Sequence, residues 1–343
     1  MTNDKKIGLL TQEQYKNVMR QRVQNSGIGA SAGLEQTITT VTQIVSGVVN
    51  TLYYELMGQK LSDFVKIEVG TGAYSTNLFQ YASAYVGSPF ESGIINPTAS
   101  GINADANSNI KIGALNIPNN FWRMKYNVGQ ELIGMAARNA ETFSIIEENE
   151  KARKKVFDLG LQKVTFLANN NNGVNGYGLL KQPNVTVNTT LMTAELDAMS
   201  DAQFQTFLAT APGVYAANSN GTMMFNRMLV PQKAFLALQQ PYGSFGETRK
   251  TILERAFQGI VGDDFKIVHA TYCTGATAGG NASKGRYVFY NTNEDNLTMY
   301  LPKPYTPHPL FPQGALDMIS DAEAQFTTPY LKRVDSMLYA DVQ

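Results

Sequence analysis

Side chains suited to chemistry are few in this chain of 343 residues, and their spacing does not gather them. There are two histidines, His269 and His308, and one cysteine, Cys273. A structural zinc site takes about four thiolate or imidazole ligands, more than these residues supply. The same scarcity removes the usual materials for a Ser–His or Cys–His nucleophile pair. His269 ends an apolar run and His308 stands between prolines, settings that suit packing and turns. The adjacent carboxylates Glu147-Glu148 are candidates for a cation. Glu147 and Glu150, however, precede Lys151 and Lys154 by one helical turn each, which marks a charged helix face. Asp263-Asp264 precedes an apolar run, where Asp serves turn hydrogen bonds.

Three glycine-rich stretches invite a phosphate reading, and each lacks a part of it. Gly70-Thr71-Gly72 has no third glycine, Gly275–Lys284 has no Gly-Lys-Ser/Thr ending, and Gly173–Gly178 reverses the dinucleotide spacing. All three read as turns. No catalytic residue, cofactor or metal ligand is assigned, and the chain is not expected to be an enzyme.

Composition points elsewhere. Lys+Arg and Asp+Glu both number 28, and charged residues make up 16% of the chain, against roughly 25% in ordinary soluble proteins. A weakly charged, neutral surface associates, so much of it is expected to be covered by neighbours. The length accommodates one large domain or two moderate ones. One cysteine excludes an internal disulfide and fits a reducing compartment. Asp4, Lys5 and Lys6 interrupt the first ten residues, so no secretory signal is expected. Ile38–Leu56 is broken by polar residues and is not expected to span a membrane. Five Asn-x-Ser/Thr sequences, at Asn184, Asn188, Asn220, Asn281 and Asn296, are then accidental.

The elements follow from periodicity. Residues 1–33 form a polar arm with Lys5, Lys6, Lys16, Arg20 and Arg22 against Asp4 and Glu13. It attracts nucleic acid weakly by phosphate neutralisation, or is simply solvated. Helical spacing predicts a helix over Leu34–Met57, with a strand as the alternative given its β-branched residues. Val65–Val69 reads as a strand. Gly70–Asn120 holds three charges, Glu91, Asp105 and Lys111, and its prolines at 89, 97 and 118 predict irregular backbone. Its aromatics oppose simple disorder, so it is expected to lie across another subunit, with a connection wandering over its own domain as the alternative. A long helix is predicted from Gln130 to Asn169, with Ile145, Ala152, Val156, Leu159 and Phe166 as its apolar stripe.

Further on, helices are predicted over Thr193–Thr210, Gln232–Gln239 and Thr248–Phe257. Strands are predicted over Met223–Val230 and Phe265–Ala270, with a loop at Gly275–Gly285. Arg286–Tyr290 and Leu297–Leu301 are expected to pair, and Tyr330–Asp341 to form strands after a proline-rich crossing. The class is α+β, without a βαβ or sequence repeat.

The run Tyr126-Asn127-Val128-Gly129-Gln130-Glu131-Leu132, a long charged helix, and then Gly176-Tyr177-Gly178-Leu179-Leu180-Lys181-Gln182-Pro183 resembles tailed-bacteriophage major capsid proteins. Lys181-Gln182-Pro183 stands where that family has an Asn-x-Pro-like turn. Leu229–Leu238 is similar to its strand, proline and helix, and Tyr330–Asp335 to its returning strands. The resemblance implies an HK97-like capsid fold with an N-terminal arm over 1–63, an extended E-loop with flanking strands over 64–124, and a spine helix with peripheral domain over 125–183. An axial domain over 184–300 and a return to the peripheral domain over 301–343 complete it. It implies a self-assembling head shell of hexamers and pentamers, enclosing DNA without specific contacts. Portal, scaffold or decoration proteins are the further partners, with assembly in the host bacterial cytoplasm and no membrane. The short arm suggests a separate scaffold or none. Some members crosslink a lysine to an asparagine; Lys111 lies in the implied E-loop, with no partner assigned. An encapsulin-like compartment is the nearest alternative, and an enzyme with an unfamiliar site is the alternative of another class.

Overall fold

Two buried faces on one sheet organise the computed structural model. It describes Leu56 and residues 58–86, 109–129, 145–170, 173–242, 246–279, 284–314 and 317–342, with backbone alone at 79–86, 109–115, 145 and 276. The described residues fall in one of two units of the chain, 53–134 with 145–343. In chain order the elements are α1 (Leu61–Phe64), β1 (Lys66–Val69), β2 (Asn77–Val86), β3 (Asn109–Pro118), β4 (Asn120–Gly129), α2 (Ile145–Leu167), β5 (Thr186–Asn188) and α3 (Asp201–Asn218). They continue with β6 (Arg227–Pro231), α4 (Gln232–Ala237), α5 (Arg249–Val261), β7 (Lys266–Ala270), α6 (Gly275–Ala278), β8 (Arg286–Tyr290), β9 (Leu297–Leu301) and β10 (Lys303–Pro307). Last come β11 (Phe311–Pro312), β12 (Asp317–Phe326), β13 (Tyr330–Leu331) and β14 (Met337–Asp341).

The five-stranded sheet has the order β5-β14-β8-β6-β7. Side chains alternate faces along a strand. Tyr287, Phe289, Leu338 and Ala340 therefore meet Phe204, Phe207, Tyr215, Leu253 and Phe257 of α3 and α5. Val288, Tyr290, Met337 and Tyr339 meet Phe64, Phe166, Leu179 and Leu180 on the other side. Burial on both faces is why β8 and β14 read as continuous apolar runs. A second sheet, β10-β12-β11 with β4 on β12, packs Trp122, Phe326 and Tyr305 around Phe157 of α2. A third joins β9 to β1 and β13, and among the described residues β2 pairs only with β3.

Several expectations are corrected. Asn77–Val86 and Asn109–Pro118 form ten antiparallel pairs where irregular backbone was expected; Pro89 and Pro97 lie between the two strands, and Pro118 ends the second. The full-length pairing of β4 with β12 was not anticipated. Strands β8 and β9 do not pair: β8 lies between β14 and β6, and β9 joins β1 and β13. The helix expected at Thr193–Thr210 is displaced to Asp201–Asn218, because Ser200 caps it through Gln203 and it continues past Pro212. On α2, Phe166 is buried as expected, but Arg153 and Phe157 are buried where Ala152 and Val156 are exposed, so the first half of the stripe lies one residue from the expected one. It carries ion pairs at i,i+3, Glu148 with Lys151 and Glu150 with Arg153, and the Glu147 charge also acts on Lys151. The short α6 occupies part of the expected Gly275–Gly285 loop. The other elements lie within a few residues of expectation; 1–55, with the helix over Leu34–Met57, and 130–144 lie outside the described residues.

Candidate functional site

The residues with chemical potential are placed apart. His269 is 5% exposed, with its ring centroid 4.1 Å from that of Phe235. Burial, aided by the Lys250 charge, holds its imidazole below the usual value, which favours the neutral form. His308 follows β10 beside the second sheet, with Nε2 3.2 Å from Glu323 Oε1. Cys273 is fully buried and burial pushes its thiol far up. Glu148 pairs with Lys151 at 2.8 Å, and Asp264 offers its backbone carbonyl to Arg227. Among the described residues no group of three His, Cys, Asp or Glu side chains is placed to hold a metal.

What the fold builds instead is a set of clasps. The first joins α2 to the β4–β12 sheet through Arg153, whose side chain is 2% exposed. Its Nη1 donates to the Ser320 carbonyl at 2.9 Å, and Nη2 to the Ser320 hydroxyl at 3.1 Å and to Glu150 Oε1 at 2.5 Å. Nε donates to the Tyr305 hydroxyl at 3.0 Å, and the Tyr126 ring lies 4.8 Å beneath the guanidinium. Tyr126 also donates to Glu150 Oε1 at 3.0 Å. Burial alone raises the Glu150 carboxyl, but hydrogen bonds from Arg153 and Tyr126 and the Arg153 charge outweigh it and hold it below the usual range.

A second clasp closes the other end of α2. The chain reverses at Asn170, which has φ 49°, and returns along the helix. Gly178, Leu179 and Leu180 donate their amides to the carbonyls of Ala168, Thr165 and Phe166 at 2.8, 2.8 and 3.1 Å. These are carbonyls that a helix C-terminus leaves without partners. A Cβ on Gly178 would stand 2.5 Å from the Phe166 carbonyl carbon and oxygen, so only glycine permits the return. Arg286 then donates to the Leu180 carbonyl at 2.8 Å while bound two-pronged to Asp341, and Tyr339 donates to the Leu179 carbonyl at 2.7 Å. The Gly178–Gln182 turn thereby ties the helix to β8 and β14.

The third feature is the β2–β3 hairpin. Among the described residues its outer edges pair with no strand, and an isolated two-stranded hairpin is marginal in water. Asn119, 4% exposed, joins β3 to β4 and donates Nδ2 to the Ser75 carbonyl at 2.8 Å and its amide to the Thr76 carbonyl at 3.0 Å. Asn120 exchanges two bonds with the Asn175 backbone, at 3.0 and 2.8 Å. These contacts hold surfaces in place. Sequence reasoning found the Gly-Leu-Leu turn but missed Arg153, Ser320 and the asparagine pair. The alternation Phe121-Trp122-Arg123-Met124-Lys125-Tyr126 was the signal available for β4.

The profile of one protein family, described as "Major capsid protein", matches residues 124–342, more than half of the chain. No curated protein sequence matches the chain. Solved structures with the same fold include the capsid of Myoviridae phage XM1, at 13% identity and TM-score 0.70, covering 92% of this chain and 99% of that one. The capsid of a native GTA particle matches at 12% identity and TM-score 0.57, with coverage of 92% and 99%. A structure titled Mycobacterium phage Ogopogo matches at 12% and 0.54, with coverage of 90% and 98%.

Proposed function

Because this chain belongs to the major capsid protein family of tailed bacteriophages, a structural, non-enzymatic family of shell-forming subunits, we propose how its parts share the work of the virion head. Residues 1–63 serve as the N-terminal arm and 64–124 as the E-loop with its flanking strands. Residues 125–183 carry the spine helix and peripheral domain, 184–300 the axial domain, and 301–343 the return to the peripheral domain. The clasps at Arg153 and Gly178–Gln182 make the helix a strut between the two sheets it touches. The hairpin, whose edges are free of other strands among the described residues, gains its missing pairing by strand addition against another copy.

Copies associate as hexamers and pentamers, since a closed shell needs heterologous contacts that close into rings and contacts between the rings. DNA is enclosed through nonspecific charge contacts, and a portal and scaffold or decoration proteins are the further partners. Assembly takes place in the host bacterial cytoplasm. The family match carries the head-shell reading, and it disfavours the encapsulin-like alternative. Negative-stain microscopy of the purified full chain tests it. Uniform shells, or hexameric and pentameric rings, are expected. A persistent monomer at micromolar concentration sinks it.

A further inference from the structure

The turn at the root of the β2–β3 hairpin contains an expensive residue in an exposed place. Tyr74 has φ 64°, a left-handed conformation that bulky side chains rarely adopt. Glycine or asparagine would fill it at little cost, yet the tyrosine is 67% exposed, so core packing does not offset the strain. What the conformation gains is contact with one row of the second sheet. Lys303 of β10 and Phe121 of β4 both stand opposite Gln325 of β12. Gln325 is 2% exposed, and its Oε1 accepts the Tyr74 amide at 2.7 Å. Lys303 donates to the Tyr74 hydroxyl, with its Nζ 4.7 Å from the ring centroid, and is paired with Glu323 as well.

Both legs of the hairpin are fixed within a few residues of this point. Gly72, at φ 78°, is pressed so closely by Leu78 of β2 that a Cβ would stand 2.0 Å from Leu78 Cδ2. Asn119 ties the returning leg to Ser75 and Thr76. The direction of the hairpin is therefore set by the second sheet. Ten residues per strand make it roughly 33 Å long at about 3.3 Å per residue. A tilt of about 10° at the root moves its far end by about 6 Å, more than one strand spacing of ~4.8 Å.

We propose that Tyr74 and Gln325 are positioning residues that fix the angle at which the hairpin leaves the body, and through it the curvature at which copies join. This rests on the shell-forming reading above. The test uses the full chain as wild type, Tyr74→Gly, which relaxes the strained turn, and Gln325→Met, which keeps the side-chain shape but removes the acceptor. Circular dichroism and thermal midpoint are measured on each protein, and shell diameters by cryo-electron microscopy. Shells of at least twofold wider diameter spread, or open curved sheets, are expected from variants with wild-type dichroism and midpoint. Variant shells with the wild-type diameter and spread overturn the proposal while leaving the capsid reading intact. A wild type that persists as a monomer overturns both. Should Gln325→Met not fold, Tyr74→Gly at its exposed position decides alone.

Discussion

Arg153 and Ser320, 167 positions apart, are joined twice, the guanidinium reaching the serine's carbonyl at 2.9 Å and its hydroxyl at 3.1 Å. This pair couples the middle of α2 to the middle of β12. It also stands beside a carboxylate that Arg153 neutralises, so losing the arginine orphans several groups at once.

Replacing Arg153 with methionine keeps most of the buried stem but takes from Glu150 its cationic partner, leaving it only hydroxyl donors such as Tyr126, and takes from the Ser320 carbonyl its guanidinium donor. A loss of about 2–3 kcal/mol is expected, below the full cost of breaking a buried pair because Glu150 is partly exposed. Urea unfolding of the unassembled subunit measures it, and Arg153→Lys should recover only part, since an ammonium cannot reproduce the fork.

The same carboxylate gives a pH dependence of definite sign. Glu150 is held below its ordinary value of 4.5 in the folded chain, so its contribution is complete above that value. It is lost as pH falls through the lowered folded value. Glu150→Gln should therefore show a shallower fall of the thermal midpoint between about pH 5 and pH 3 than wild type. Parallel slopes would refute the assignment.

Two glycines, one inside α2 and one in the turn that follows it, should respond with opposite signs. Gly160, inside α2, has nothing within 4 Å of the position a Cβ would take, so Gly160→Ala should stabilise the subunit by about 0.5–1 kcal/mol. Gly178→Ala drives a methyl into the Phe166 backbone and should cost more than ~3 kcal/mol, or prevent soluble expression. Thermal denaturation of both variants checks the ordering.

The lone thiol should be silent. Cys273 is fully buried and burial raises its pKa, disfavouring the thiolate that reacts. Maleimide labelling of the native subunit is expected to be at least a hundredfold slower than in 6 M guanidinium, as read by mass spectrometry. Rapid native labelling would contradict this burial.

Sequence periodicity located most helices and the core strands of the five-stranded sheet, because their apolar runs leave little choice. β8 reads Arg-Tyr-Val-Phe-Tyr and is buried along its length. Pairing was less legible. β8 and β9 are close in sequence, yet each finds distant partners, and nothing local to either records this. β12, Asp-Met-Ile-Ser-Asp-Ala-Glu-Ala-Gln-Phe, lacks β-branched residues apart from Ile319, so its strand state comes from pairing with β4. The stripe on α2 was misplaced because the residue facing the sheet is an arginine, which a hydrophobic count passes over. The contacts of Arg153 with Ser320 and of Tyr339 with Leu179 were not legible because each joins residues more than a hundred positions apart.

The strand Met337–Asp341 lies between β5 and β8, pairing parallel with one and antiparallel with the other. A ribosome making this chain releases β5 and β8 long before the strand that belongs between them. Until residue 341 has emerged, both apolar faces of the five-stranded sheet stay incomplete, and the unpaired edges of β5 and β8 face the same gap. Completion of the subunit is therefore timed by translation itself: a nascent chain lacking this strand has no finished core to present to its neighbours.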